Sequence, residues 1–128
     1  MLDHVSIPVS NLAASAAFYD KVLTPLGLAR LTEREKTIGF GKKYPEFWLN
    51  HRPNMQETPL DTGFHFCLRA PDKEAVIAFH MAARENGGQC AGEPGDRQAA
   101  MTVYFGAFIL DPDGNKIEAI TFPKVDPK

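Results

Sequence analysis

Cysteine is scarce in this chain of 128 residues, and no disulfide framework can be built from it. Only Cys67 and Cys90 occur, far apart, an arrangement that predicts two buried free thiols in a reducing cytoplasm. Long apolar runs are missing too, and nothing approaches the length of a membrane span. The opening MLDHVSIPVS lacks a basic stretch followed by an apolar core, which predicts no signal peptide. Charge of one sign is also lacking. The Lys and Arg total of 14 against an Asp and Glu total of 16 leaves −2, which gives neither nucleic acid nor an anionic membrane a reason to bind. What remains is an ordinary globular composition. The length suits one compact domain, residues 1–128, whose core needs no disulfide or metal staple.

The strongest positive feature is an internal repeat. HVSIPVSNLAASAAFYDKVLTPLGL from His4 and HFCLRAPDKEAVIAFHMAARENGGQ from His65 align without a gap. His4 falls on His65, Ala14 on Ala75, Ala17 on Ala78, Phe18 on Phe79 and Gly27 on Gly88; Asn11 falls on Asp72 and Ile7 on Leu68. A repeat of this kind bears on the whole fold, and here it places two imidazoles in equivalent positions.

The pattern predicts a strand over 3–9, with Val5, Ile7 and Val9 on one face and His4, Ser6 and Pro8 on the other. Ser10 or Asn11 can cap a helix whose apolar stripe is Leu12, Ala16, Tyr19, Leu23 and Leu26, ending at Gly27. Short strands follow at 28–33, 36–41 and 46–51, with Gly39 and Gly41 read as turn material. The polar, proline-rich stretch 52–63 is a connector. The second copy gives strand 64–70, helix 73–86 capped by Asp72, a short strand at 89–92, a loop holding Gly95 and Arg97, and strands 102–110 and 115–122 around the turn Asp111-Pro112-Asp113-Gly114. Each half reads strand, helix, three strands. Apolar faces must pack on the helices, so both histidines face away from them.

The repeated βαβββ pattern, the opening DHVSIPVSN, the midpoint HFCLRAPD and the closing LDPDGNKIEAI together resemble the vicinal oxygen chelate superfamily. That superfamily includes glyoxalase I, the bleomycin- and fosfomycin-resistance proteins, methylmalonyl-CoA epimerase and the extradiol dioxygenases. The resemblance implies an α+β fold in which two βαβββ modules form a cupped, incomplete eight-stranded barrel. Module one would span about 1–51 and module two about 64–123. It also implies a divalent metal held by His4, His65 and Glu118. Two imidazoles and a carboxylate suit iron; manganese, zinc or nickel fit the same ligands. The fourth family position falls at Phe47-Trp48-Leu49, which offers no ligand, and Glu46 is expected on the wrong face.

Bland readings accompany these. His4 and His65 are also compatible with a polar cavity holding no metal, and Glu118 with a surface carboxylate, although its flanks Ile117, Ala119 and Ile120 favour an interior position. His51, at the end of strand four, is a candidate acid or base or simply exposed. His80 reads as structural or solvent-facing. Arg97 is a candidate for an anionic substrate group or a solvated loop residue. Trp48 and Tyr104 are candidate cavity walls. Asp111, Asp113 and Gly114 read as a turn, since calcium-loop spacing is absent.

The expected function is a metal-dependent lyase, isomerase or ring-opening dioxygenase that chelates two neighbouring oxygens of a small substrate. The alternative is a non-catalytic small-molecule binder like the bleomycin-resistance proteins. A homodimer is expected, with the site within one chain or across two. Weak glyoxalase I turnover is also expected, because the strand-four position at Trp48 and Leu49 offers no base.

Overall fold

The structure is a computed structural model, and it describes residues 1–59 and 61–122. The chain runs β1 (Val5–Val9), α1 (Leu12–Leu23), β2 (Ala29–Glu33), β3 (Thr37–Gly41), β4 (Pro45–His51), β5 (Phe66–Arg69), α2 (Lys73–Glu85), β6 (Gln89–Gln98), β7 (Val103–Leu110) and β8 (Lys116–Thr121). A 3-10 turn at Thr24–Leu26 follows α1. Two four-stranded sheets result, ordered β1-β4-β3-β2 and β5-β8-β7-β6. In each, the first strand runs parallel to the last and the rest pair antiparallel. The fold is α+β with two βαβββ modules, and no sheet closes into a full barrel. Residue 123, expected to end module two, lies outside the described residues.

The repeat is structural as well as textual. Asn11 and Asp72 both cap their helices, accepting from the amides of Ala14 and Ala75 at 3.0 and 2.8 Å. Phe18 and Phe79, also repeat partners, are both buried. The helix ends differ. Pro25 cannot continue an α-helix, so α1 tightens into the 3-10 turn and Gly27 takes the left-handed conformation at φ 82°. After α2 that role falls to Gly87, at φ 97°, rather than to Gly88. Gly88 is small for another reason: a Cβ there would stand 2.6 Å from the Leu110 carbonyl oxygen and 2.9 Å from the Phe18 ring.

One apolar core serves both modules. It gathers Ile7, Val9, Phe47 and Leu49 from the first sheet and Ala107, Ile109, Ile117 and Ala119 from the second, under α1 and α2. Tyr19 joins the halves. Its ring meets Phe18 edge-on at 5.0 Å and Phe47 at 5.1 Å, and its hydroxyl donates to Asp111 at 2.8 Å. The Asp111–Asn115 turn is therefore more than a hairpin. Asp111, 3% exposed, also accepts from the Asp113 and Asn115 amides and the Asn115 side chain. Asn115 in turn donates to the Pro8 carbonyl, and Ser10 donates to Asp113.

Three sequence expectations need correcting here. Both cysteines are free, as expected, but both are exposed rather than buried. Gly39 and Gly41 are strand residues, not turn material. A Cβ on Gly39 would fall 2.9 Å from the Trp48 ring, so the missing side chain lets that indole lie across β3. Arg97 lies on a strand, because β6 runs unbroken from Gln89 to Gln98 through two register shifts.

Candidate active site

Strand alternation decides which side chains leave the core. In β1, Ile7 and Val9 point to the helices, while Ser6 and Pro8 are exposed on the other face, the face His4 shares. In β4, Phe47 and Leu49 are buried, so Trp48 and Asn50 share the opposite face. The parallel register pairs Val5 with Phe47 and Ser6 with Trp48. On β4 the pairing with β3 slips just before this point, Phe40 with Phe47 but Gly41 with Pro45, so Glu46 is the extra residue of a bulge. The register leaves Glu46 exposed at that bulge, assigned to neither face by alternation. It also moves His51. That residue pairs with Val9, a core residue, so alternation turns it to the helix side and away from Trp48.

In module two the corresponding face carries a connected polar group. Glu118, 4% exposed, stands on β8 between Cys67 of β5 and Phe108 of β7. Its Oε1 lies 3.2 Å from His65 Nε2, and its Oε2 accepts from the Tyr104 hydroxyl at 3.3 Å. Partial burial, then the Glu118 charge, hold the Tyr104 phenol above its ordinary range, so it remains a neutral donor. Cys67 keeps much of its surface open, but its sulfur faces the same carboxylate. Partial burial and then Glu118 push that thiol up to about 12. The His65 ring meets Phe108 edge-on at 5.2 Å.

His65 raises a question of protons. Its Nδ1 is 3.2 Å from the Gly63 carbonyl oxygen, which can only accept, so the tautomer that satisfies this contact carries hydrogen on Nδ1. In a neutral ring Nε2 is then a bare lone pair facing a carboxylate oxygen 3.2 Å away. In that tautomer two acceptors face each other, and a positive species between them, a proton or a metal cation, suits the gap. A carbonyl fixing Nδ1 while Nε2 points to a carboxylate is the arrangement that a metal-binding histidine needs. Imidazole plus a buried carboxylate is a fitting donor pair for a divalent ion.

His4 stands apart from this pair. It is exposed, and its Nδ1 lies 2.7 Å from Asp3. Among the described residues the only set of three or more His, Cys, Asp or Glu with mutually close ligand atoms is elsewhere, so one chain does not gather His4, His65 and Glu118. Arg97 is engaged with backbone. Its guanidinium donates to the carbonyls of Gly95 at 3.0 Å, Gly106 at 2.9 Å and Glu93 at 2.8 Å, and lies over the Phe108 ring. Trp48 is half-buried on the module-one face with the Arg34 guanidinium 5.6 Å from its ring centre. Sequence reasoning missed the part played by Cys67, although its register with Glu118 follows once β5 and β8 are paired.

Residues 1–119 match the model of the Glyoxalase/Bleomycin resistance protein/Dioxygenase superfamily. The chain belongs to that superfamily. It is 30% identical over 125 residues to a probable lactoylglutathione lyase of Synechocystis, covering 91% of this chain and 92% of that one. A lactoylglutathione lyase of Salmonella typhimurium is 28% identical over 128 residues, covering 91% and 89%. Among solved structures, a glyoxalase/bleomycin resistance protein from Albidiferax ferrireducens superposes with TM-score 0.84 at 32% identity, covering 94% of this chain and 98% of that one. A glyoxalase I mutant from Zea mays matches at TM-score 0.71 and 22% identity, with 92% of this chain and 44% of that one, a likeness of fold. These relatives make a glyoxalase-like enzyme the coarse functional class. No helix among the described residues is long and apolar enough to cross a membrane.

Proposed function

We propose that the protein is a metal-dependent lyase or isomerase of the glyoxalase superfamily, acting on a small substrate with two neighbouring oxygens. The observation that carries this reading is the His65–Glu118 pair, with Nδ1 fixed by a carbonyl and Nε2 set against a carboxylate at 3.2 Å. In the proposed site His65 and Glu118 of one chain and His4 of a second copy hold the ion, in a homodimer of the two-fold kind common among such assemblies. The proposed setting is the cytoplasm.

A bound divalent ion would act as a Lewis acid toward the substrate oxygens, stabilising the negative charge that develops there. The chain's own residues supply the rest. Tyr104, a neutral phenol, spends its one hydrogen on Glu118 Oε2 at 3.3 Å and so orients that carboxylate in the cup. Trp48 and Phe108 provide apolar walls that exclude water and strengthen those polar contacts. Glu46, exposed near the start of β4 two residues before Trp48, is the proposed base that takes a proton from carbon and returns it to the neighbouring carbon. Turnover of the methylglyoxal–glutathione adduct decides whether Glu46 supplies the base that Trp48 cannot.

The test is turnover of that adduct, and of simple hydroxy-ketones, by chain loaded in turn with nickel, zinc, manganese and iron. Glu46→Gln is expected to lower kcat by about 10²–10⁴-fold, the usual contribution of a positioned base, while leaving metal content unchanged. Glu118→Gln and His65→Ala are expected to strip metal from the cup. Metal content indifferent to both variants would overturn the metal-dependent reading. Metal lost as expected, with no turnover of any such substrate, would favour the non-catalytic binding role instead.

A further inference from the structure

A second cluster of ligand-type side chains lies on the other side of module two, against α2. Val76, Phe79, His80 and Ala83 form the buried stripe of that helix, and His80 is its polar member. His80 is 4% exposed, and its Nε2 has no hydrogen-bond partner. Leaving a buried ring nitrogen unpartnered is unfavourable, so the atom calls for a ligand. Two groups face it from β6, the edge strand of the second sheet. The Glu93 carboxylate is 3.9 Å from Nε2, and the Cys90 thiol donates to Glu93 at 3.5 Å.

The backbone of β6 brings these two groups together. Residues three apart on a regular strand point to opposite faces. Here the register slips between Cys90 and Gly92, pairing Cys90 with Ile109 and Gly92 with Phe108. Ile109 belongs to the core face and Phe108 to the cup face, so the extra residue returns Glu93 to the side of Cys90 and α2. The ligand atoms of His80, Cys90 and Glu93 all lie within 4.8 Å of one another. Edges of a tetrahedral zinc site are roughly 3.3–3.8 Å for ordinary Zn–N, Zn–O and Zn–S bonds. Cys90 and Glu93 are exposed and can close that difference by side-chain rotation.

We propose that His80, Cys90 and Glu93 form a second divalent-metal site, separate from the cup, that ties α2 to β6. Nitrogen, thiolate sulfur and carboxylate oxygen together suit zinc, with water as the fourth ligand. Binding releases the Cys90 thiol proton to solvent. Burial, against the opposing pull of Glu93, lowers the His80 pKa, which favours the neutral imidazole. The Arg84 guanidinium lines the same groove, and the two anionic ligands offset its charge.

Cobalt titration of the full-length chain tests this directly, because a cobalt–thiolate bond gives a charge-transfer band in the near ultraviolet that nitrogen and oxygen ligands do not. One equivalent of cobalt is expected to give that band, and zinc to bleach it. Cys90→Ser should abolish the band and weaken zinc binding at this site by at least about 100-fold, since even an outer-shell partner typically contributes about 10–100-fold. Glu93→Gln, at an exposed position that does not threaten folding, should weaken zinc binding at least about tenfold by the same reasoning. Cys67→Ser and Glu118→Gln should leave the band in place, which separates this site from the cup. No thiolate band, a band that survives Cys90→Ser, or one lost in Cys67→Ser would overturn the proposal.

Discussion

Burial, and after it the Glu118 charge, sets the chemistry of the side chains around that carboxylate. Both raise the cost of ionising a neighbouring acid, and Tyr104 and Cys67 are held in their protonated forms. The consequence for Cys67 is measurable. A thiol with a pKa of about 12 is thiolate to only about one part in 10⁴ at pH 8, whereas an ordinary thiol near 8.5 is roughly a quarter ionised. Alkylation of native protein at pH 8 with a chelator present should therefore modify Cys67 about 10³-fold more slowly than an unhindered thiol, with exposed Cys90 reacting first. The Cys67 rate should climb about tenfold per pH unit as ionisation increases. Glu118→Gln should accelerate it only in part, because burial is the larger cause. Equal labelling of the two cysteines in the native state, followed by peptide mass spectrometry, would contradict this account. At this scale the sequence marked His4, His65 and Glu118 through the repeat and the closing motif. Glu46 was not legible, because it is the extra residue of a bulge where β4 pairs with β3, and such a slip leaves no mark in a pattern of apolar residues.

Elements carry the connection between modules. The turn between β7 and β8 reads from sequence as a hairpin signal, and Gly114 at φ 87° does fill the left-handed position such a turn needs. Its larger part is the clasp between Asp111 and Tyr19, which no local pattern reveals because the partners lie 92 residues apart. Tyr19→Phe removes one hydrogen bond to a buried carboxylate and keeps the ring packing. It should destabilise the fold by about 1.5–3 kcal/mol, the usual worth of a hydrogen bond to a charged group. Chemical denaturation, compared at constant m-value, measures it. A change below about 0.5 kcal/mol, the range of neutral surface substitutions, would show that the clasp is energetically idle. The helices were legible because caps and apolar stripes are local. β6 was not, since its register shifts and its Gly92, Pro94 and Gly95 mimic a loop, and only pairing with β7 identifies a continuous strand.

At the scale of the whole molecule, the two cup faces belong to different sheets that no strand pairing joins. The modules meet instead through α1, α2 and the turn after α1, beneath the common core. His4 is consequently turned to solvent with Leu2 beside it, while the His65–Glu118 pair occupies the other module with exposed Phe122 against Tyr104. A second copy related by a two-fold axis would bring module one of each chain over module two of the other, covering these apolar groups and supplying the missing imidazole twice. This arrangement predicts complementation. His4→Ala impairs only the module-one contribution, and Glu118→Gln only the module-two contribution. Each homodimer of a single variant then has two damaged sites. A heterodimer has one site carrying both lesions and one carrying neither. Unfolding and refolding an equal mixture should give about half heterodimers, and so restore about a quarter of the wild-type metal capacity in the cup and of any turnover it supports. Counting cup metal in a Cys90→Ser background keeps the site on α2 out of the measurement. A site built within a single chain predicts no recovery on mixing, because each chain would keep its own lesion. The same null result from a protein that sediments only as monomer at micromolar concentration would remove the dimer itself.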